Sequence, residues 1–119
     1  MASIEQKAWE PTQWSVVDSQ TNATATATKA AASGRQHFVT GVSISFSAQP
    51  VAAVVAEVRD GATVLERYQI PAANIAPVIT NFVPPIAITS GNAATVTVTA
   101  AGAGVVATVG IRGKTYISN

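Results

Sequence analysis

Residues 38–46, with the sequence FVTGVSISF, decide the fold. In an extended chain successive side chains point to opposite faces, so residues two positions apart share a face. Phe38, Val42, Ile44 and Phe46 therefore fall on one face, and the serines between them fall on the other. Such alternation predicts a strand that buries one side and exposes the other. We expect these four apolar side chains in the core of a β-sheet protein.

The segments that follow predict a β-hairpin. Two runs rich in apolar and β-branched residues, Val51–Arg59 and Thr63–Ile70, flank the dipeptide Asp60-Gly61, which favours a tight turn. This hairpin carries charged residues that we expect at a solvated surface. Ion pairs between exposed residues contribute little to the free energy of unfolding. The residues available for cross-strand ion pairing are Glu57, Arg59, Glu66 and Arg67.

Upstream, residues 22–34 read NATATATKAAASG and have the composition of a low-complexity linker. Their threonines nevertheless alternate strictly with alanines, and regular strands follow, so the pattern predicts a strand. Because the side chains are small on both faces, another layer can approach closely. We interpret this segment as a packing strand whose surface lies against copies or partners.

Downstream, residues 93–111 read AATVTVTAAGAGVVATVGI, in a span without charge between Arg67 and Arg112. The stretch is long enough to cross a bilayer as a helix. Threonine and valine at alternate positions are typical of strands, however, and we predict a buried hairpin and no membrane span. The threonines of the two segments that we expect to form oligomer-packing surfaces are Thr24, Thr26, Thr28, Thr95, Thr97 and Thr99.

The whole pattern predicts an all-β protein. Seven or eight short strands, separated by turns and by prolines, indicate a single jelly-roll or β-sandwich domain over residues 21–119. Helical periodicity is nearly absent. The predicted core consists of Phe38, Val42, Ile44, Phe46, Val54, Val58, Val96, Val98, Val109 and Ile111.

Residues 1–20 differ from the rest and are predicted to be an extended N-terminal arm. They contain both tryptophans, Trp9 and Trp14, and show no β-periodic run or apolar core of a signal peptide. Tryptophan is a frequent anchor of protein interfaces, so we expect both indoles to bind a partner. The alternative is that they stack on sugar rings.

Composition indicates a protein whose surface is covered by partners. Of 119 residues, 48% are hydrophobic and 11% are charged, less than half the usual charged fraction. The net charge is +1, with scattered basic residues, which argues against nucleic-acid binding. There are no cysteines, hence no disulfides and no thiolate metal site.

No arrangement of residues predicts catalysis, a metal or a cofactor. The one histidine, His37, stands at the start of a strand and is expected at a surface or interface. In the β region the acids Glu57, Asp60 and Glu66 cluster at one hairpin, which suits a solvated rim better than an acid–base pair. We therefore expect a protein that is not an enzyme.

The order of these features resembles a known family. After the two tryptophans come a Thr/Ala strand ending KAAASGR, the strand HFVTGVSISFS, the hairpin V-x-D-G-x-T-V-L-x-R, a proline-rich stretch, and a last segment ending VGIRGKTY. Over residues 20–117 this resembles small virion proteins of tailed bacteriophages, most closely the jelly-roll decoration (cement) proteins of the capsid. The D-G-x-T-V-L hairpin is the most specific part.

The resemblance implies a homotrimer on the outer capsid surface, made in the host bacterial cytoplasm. It implies contacts with the major capsid protein of the phage head, with neighbouring cement subunits as further partners, and brings no catalytic, metal or cofactor residues. Related small β-sandwiches occur in phage tails and fibres, so a tail protein that binds a host receptor or carbohydrate is the alternative. A free carbohydrate-binding module is a third hypothesis.

Overall fold

The computed structural model describes residues 11–117. Over this range the chain forms eight β-strands and no helix, and no segment qualifies as a membrane-crossing helix. The strands are β1 (Thr12–Thr21), β2 (Ala25–Lys29), β3 (Arg35–Phe46), β4 (Val54–Asp60), β5 (Thr63–Ile70), β6 (Val78–Ala87), β7 (Ala94–Val98) and β8 (Val106–Ile117).

The strands form two four-stranded antiparallel sheets that pack as a sandwich. The first sheet has the order β1-β8-β3-β6 and the second the order β2-β7-β4-β5. The first strand thus pairs with the eighth, the second with the seventh, the third with the sixth and the fourth with the fifth. This nested pairing is that of a jelly roll, and it confirms the predicted fold class.

The core lies between the two sheets and is built from small and β-branched side chains. Ile44, Ile88 and Ile111 are its largest fully buried members, and alanines such as Ala25 and Ala56 allow the sheets to approach. Every residue of the predicted core except Phe38 is buried. Alternation therefore predicted the buried face of β3, β4, β7 and β8.

Phe38 is the exception because β3 contains a β-bulge. The register shifts between Val39 and Gly41, so Thr40 is an extra residue in the strand. One extra residue reverses which face each following side chain occupies. Val42, Ile44 and Phe46 point inwards, as predicted, while upstream of the bulge His37 and Val39 point inwards and Phe38 points to the outer face. The prediction that Phe38 lies in the core was wrong.

Residues 12–20, which were predicted to belong to the N-terminal arm, belong to the sandwich. Strand β1 pairs with β8 along its whole length, from Thr12 opposite Thr115 to Thr21 opposite Val106. Asp18 and Gln20 occupy the same face as Trp14 and Val16, and Val17 on the other face is exposed, so the alternation is weak. Trp14 and Val16 nevertheless pack against the core. The boundary near residue 20 was therefore wrong. Trp9 lies outside the described residues.

The two predicted hairpins had different outcomes. Strands β4 and β5 form the expected hairpin around Gly61, whose φ of 59° is easily adopted by glycine. Strands β7 and β8 do not pair, because β7 lies in the second sheet and β8 in the first. The stretch at residues 99–105 thus crosses between sheets.

Candidate interaction surfaces

The predicted packing threonines lie together on the outer side of the second sheet. Cross-strand pairing sets Thr26 opposite Thr97 and Thr28 opposite Thr95. In each pair the hydroxyl oxygens lie 3.3 Å apart. Thr24 and Thr99 flank β2 and β7, and the Thr99 hydroxyl accepts a hydrogen bond from the Val55 amide. We call this surface of Thr24, Thr26, Thr28, Thr95, Thr97 and Thr99 the threonine face.

The threonine face is suited to contact with another protein. A β-branched side chain has few accessible rotamers, so it loses little conformational freedom when a partner covers it. It also carries no charge whose hydration must be removed. The alanines beside these threonines, Ala25 and Ala27, are buried, so the face rests on a packed layer.

Beside the threonine face, a charged cluster occupies the same sheet. The carboxylate of Glu57 accepts hydrogen bonds from Arg59 through one oxygen and from Arg67 through the other, the Arg67 Nε lying 2.9 Å away. These bonds, from Arg59 first and Arg67 second, hold the pKa of Glu57 below its ordinary value of 4.5. The predicted cross-strand ion pairing is confirmed for Glu57 with Arg67, whereas the pair of Glu57 with Arg59 lies within β4 and was not predicted.

A second carboxylate joins the β4–β5 hairpin to the loop before β7. Asp60 accepts hydrogen bonds from the hydroxyl and amide of Thr89 at 2.7 and 3.0 Å and from the Asn92 side chain at 2.9 Å. Burial opposes its ionisation, but these donors outweigh burial and lower the pKa of Asp60. Asp60 is thus engaged in holding loops together.

The predicted surface histidine is buried. His37 is 1% exposed. Its Nε2–H donates to the carbonyl of Ala30 at 2.8 Å, so Nδ1 accepts from the Thr115 hydroxyl at 2.6 Å. The ring of Trp14 meets it edge-on at 5.7 Å between centroids, and Lys29 Nζ lies 5.8 Å from the Trp14 centroid. His37 and Trp14 therefore hold the two sheets together near the start of β1, and the prediction that Trp14 is an arm anchor gives way to a packing role.

The outer side of the first sheet carries two aromatic side chains, Phe38, which was predicted in the core, and Tyr116, for which no role was predicted. Phe38 and Tyr116 meet there edge to face, with ring centroids 5.2 Å apart. They line a cavity of about 410 Å³. Thr40 and Lys114 line this cavity and also an adjoining one of about 540 Å³, which extends over β1 and β8 towards Gln13 and Arg112. We call the two together the aromatic cleft, lined by Gln13, Gln36, Phe38, Thr40, Pro85, Arg112, Lys114 and Tyr116.

A signal for this cleft was present in the sequence. Arg112, Lys114 and Tyr116 occupy alternate positions, so three large side chains share one face of the last strand. Phe38 could not be added without knowledge of the bulge, which brings it beside Lys114. Within residues 11–117 no group of three His, Asp or Glu side chains could hold a metal ion.

Comparison with known proteins gives structural matches only. No family model and no curated protein matches the chain. A carbohydrate-binding (CBM36-1) domain of a multidomain xylanase from the hindgut metagenome of Trinervitermes trinervoides is 10% identical, with a TM-score of 0.43 over 87% of this chain and 96% of that one. The Drosophila NLP core is 18% identical, with a TM-score of 0.45 over 89% and 98%. A protein of Tomato Aspermy Virus is 13% identical, with a TM-score of 0.35 over 87% and 76%.

Proposed function

We propose that this chain is a structural virion protein that decorates the outside of an assembled phage head. It acts as a homotrimer that bridges copies of the major capsid protein and touches neighbouring decoration subunits. The role requires binding and no catalysis, metal or cofactor.

The threonine face is the observation that carries this proposal. A monomer in water gains little from a sheet face of short, uncharged and conformationally stiff side chains, whereas a subunit covered by copies or partners loses little entropy and no charge hydration there. The low charge of the whole chain, 11% of residues, supports the same interpretation. We therefore assign the threonine face of each subunit to contacts within the trimer.

Stabilisation of a shell follows from selective binding. A protein that binds the assembled lattice and not the loose subunits shifts the equilibrium towards the lattice by mass action. Attachment through three equivalent subunits raises the effective concentration of each further contact. Residues 1–10, which include Trp9, remain the candidate segment for reaching the capsid protein.

A tail or fibre protein that recognises a host receptor is the alternative. The exposed loop around Gly61, and that around Gly91, carry small residues, and a receptor-binding tip is expected to present large polar and aromatic ones there. That difference favours the decoration role.

Copy number separates the two roles. We expect quantitative mass spectrometry of purified particles to give this chain in hundreds of copies, in fixed proportion to the major capsid protein. A handful of copies per particle, or recovery with isolated tails, would contradict the decoration role and support the alternative.

A further inference from the structure

The aromatic cleft lies on the sheet opposite the threonine face, so the contacts assigned to the trimer leave it available. It sits over β8 and β3, the two central strands of the first sheet. Up to Thr115, β8 is paired with β1 on one side and with β3 on the other, so within residues 11–117 only Tyr116 and Ile117 of β8 lack a β1 partner. A ligand of this cleft must be recognised through side chains.

Tyr116 offers an aromatic platform. Its side chain is 39% exposed. It meets Phe38 at an interplanar angle of 82°, and in such a perpendicular pair Phe38 covers at most one face of the Tyr116 ring. At least one face is therefore left for an apolar ligand surface such as the C–H side of a sugar ring.

Side chains with free hydrogen-bonding capacity surround this platform. Gln36 Nε2 donates to the Ile88 carbonyl at 2.9 Å, which fixes the amide and leaves its oxygen as an acceptor. Within residues 11–117 the side chains of Gln13 and Lys114 make no hydrogen bond or ion pair. Amides and an ammonium beside an aromatic ring match a ligand rich in hydroxyl groups.

The charge of the cleft is positive. Arg112 and Lys114 are the charged side chains on this outer face among residues 11–117, and no acid of that range accompanies them. Arg112 is held in place, because its Nη2 donates to Asn81 at 2.5 Å. Its guanidinium lies over Gly41, where an added Cβ would stand 2.6 Å from Nη2. The cleft thus offers an anion two cationic side chains, Arg112, which is held by Asn81, and Lys114, which has no partner among residues 11–117.

We propose that the aromatic cleft binds an acidic oligosaccharide. Tyr116 stacks on a sugar ring, Gln13 and Gln36 bond its hydroxyls, and Lys114 with Arg112 pairs with its carboxylates. Two cations on a chain of net charge +1 are too few for a polyphosphate backbone, which makes nucleic acid the poorer fit. An extended acidic peptide is also the poorer fit, because only the two residues of β8 after Thr115 lack a β1 partner, too short an edge for strand addition along the cleft. This site is independent of the shell-binding role.

The test uses the full chain and four probes: tetragalacturonate, the neutral cellotetraose, tetraglutamate and a four-residue oligothymidylate. Calorimetry or NMR titration is expected to show that tetragalacturonate binds most tightly, and that added salt weakens it. Amide shift changes are expected at Gln13, Thr40, Lys114 and Tyr116. Absence of tetragalacturonate binding at millimolar concentration, or equal or tighter binding of any other probe, overturns the proposal.

Variants assign the binding to the cleft. Tyr116→Ala is expected to weaken tetragalacturonate binding about tenfold and Lys114→Gln severalfold, while Tyr116→Phe retains most of it. Arg67→Gln removes one positive charge from the opposite sheet and serves as the matched control, with unchanged affinity. If Arg67→Gln weakens binding as much as Lys114→Gln, or if both Tyr116 variants bind like the parent, the assignment is wrong. If Tyr116→Ala does not fold, the amide shift changes of the parent chain on adding tetragalacturonate show whether the ligand binds in the cleft.

Discussion

Ile44 and Phe38 lie on the same strand but on opposite faces, and this contrast can be measured. Ile44 is fully buried between the sheets, whereas Phe38 lies on the outer face against Tyr116. Ile44→Ala leaves a cavity and is expected to cost roughly 2–5 kcal/mol of the free energy of unfolding. Phe38→Ala leaves no enclosed cavity and should cost less. Urea unfolding of both variants measures the two losses. A larger loss for Phe38→Ala than for Ile44→Ala would contradict the position of the bulge at Thr40.

Glu57 gives a prediction about pH. Its pKa in the folded protein is lowered below 4.5, so the unfolded chain binds a proton there more readily. The stability that Glu57 contributes is therefore present above 4.5 and is lost as the pH falls through the lowered folded pKa. Glu57→Gln should reduce this acid-induced loss in unfolding experiments across that range.

Glu66→Gln is the control for Glu57→Gln, since it removes a carboxylate from the neighbouring strand without touching the pair of arginines. We expect Glu66→Gln to retain the acid-induced loss of the parent. An identical pH profile for the parent and Glu57→Gln would mean that the two ion pairs do not form in solution.

At the scale of elements, the sequence was informative where alternation is regular and one face is buried. It predicted β3 and the threonine strands because serine or threonine alternates there with apolar residues, and it predicted the β4–β5 hairpin from the Asp60-Gly61 turn. It could not predict the bulge at Thr40, since one extra residue leaves no mark in composition. It missed β1 because only Trp14 and Val16 of that strand pack against the core, Asp18 and Gln20 at the next positions of the same face are polar, and Val17 interrupts the alternation.

Strand β1 yields a prediction that differs from that of an arm. Deleting residues 1–18 removes most of the ladder with β8 and exposes the inner face beneath Trp14, so the domain should unfold or aggregate. Deleting residues 1–10 leaves β1 complete, and the domain should retain its fold. Circular dichroism and thermal melting distinguish the two. A stable 1–18 deletion would mean that β1 contributes little to the sandwich.

At the scale of the whole molecule, the proposed trimer is the first consequence of a weakly charged surface. Sedimentation of the purified chain at micromolar concentration should give three times the monomer mass of 12.1 kDa, because an obligate interface of ordinary size survives that dilution. Thr26→Lys together with Thr97→Lys places two charges on the threonine face and should dissociate the trimer with the fold intact. A monomeric parent chain would contradict the proposal that the threonine face forms contacts within a trimer.

Binding to assembled heads distinguishes a decoration protein from a protein that binds loose capsid subunits. Purified chain is mixed with heads that lack it and, separately, with unassembled major capsid protein, and bound protein is measured by co-sedimentation and located by cryo-electron microscopy. We expect the purified chain to bind saturably to heads and not to unassembled capsid protein. Its density on the outer surface should be threefold, at local threefold or quasi-threefold positions of the lattice. Binding to loose capsid protein with equal affinity, or no added density on the heads, would contradict the decoration role.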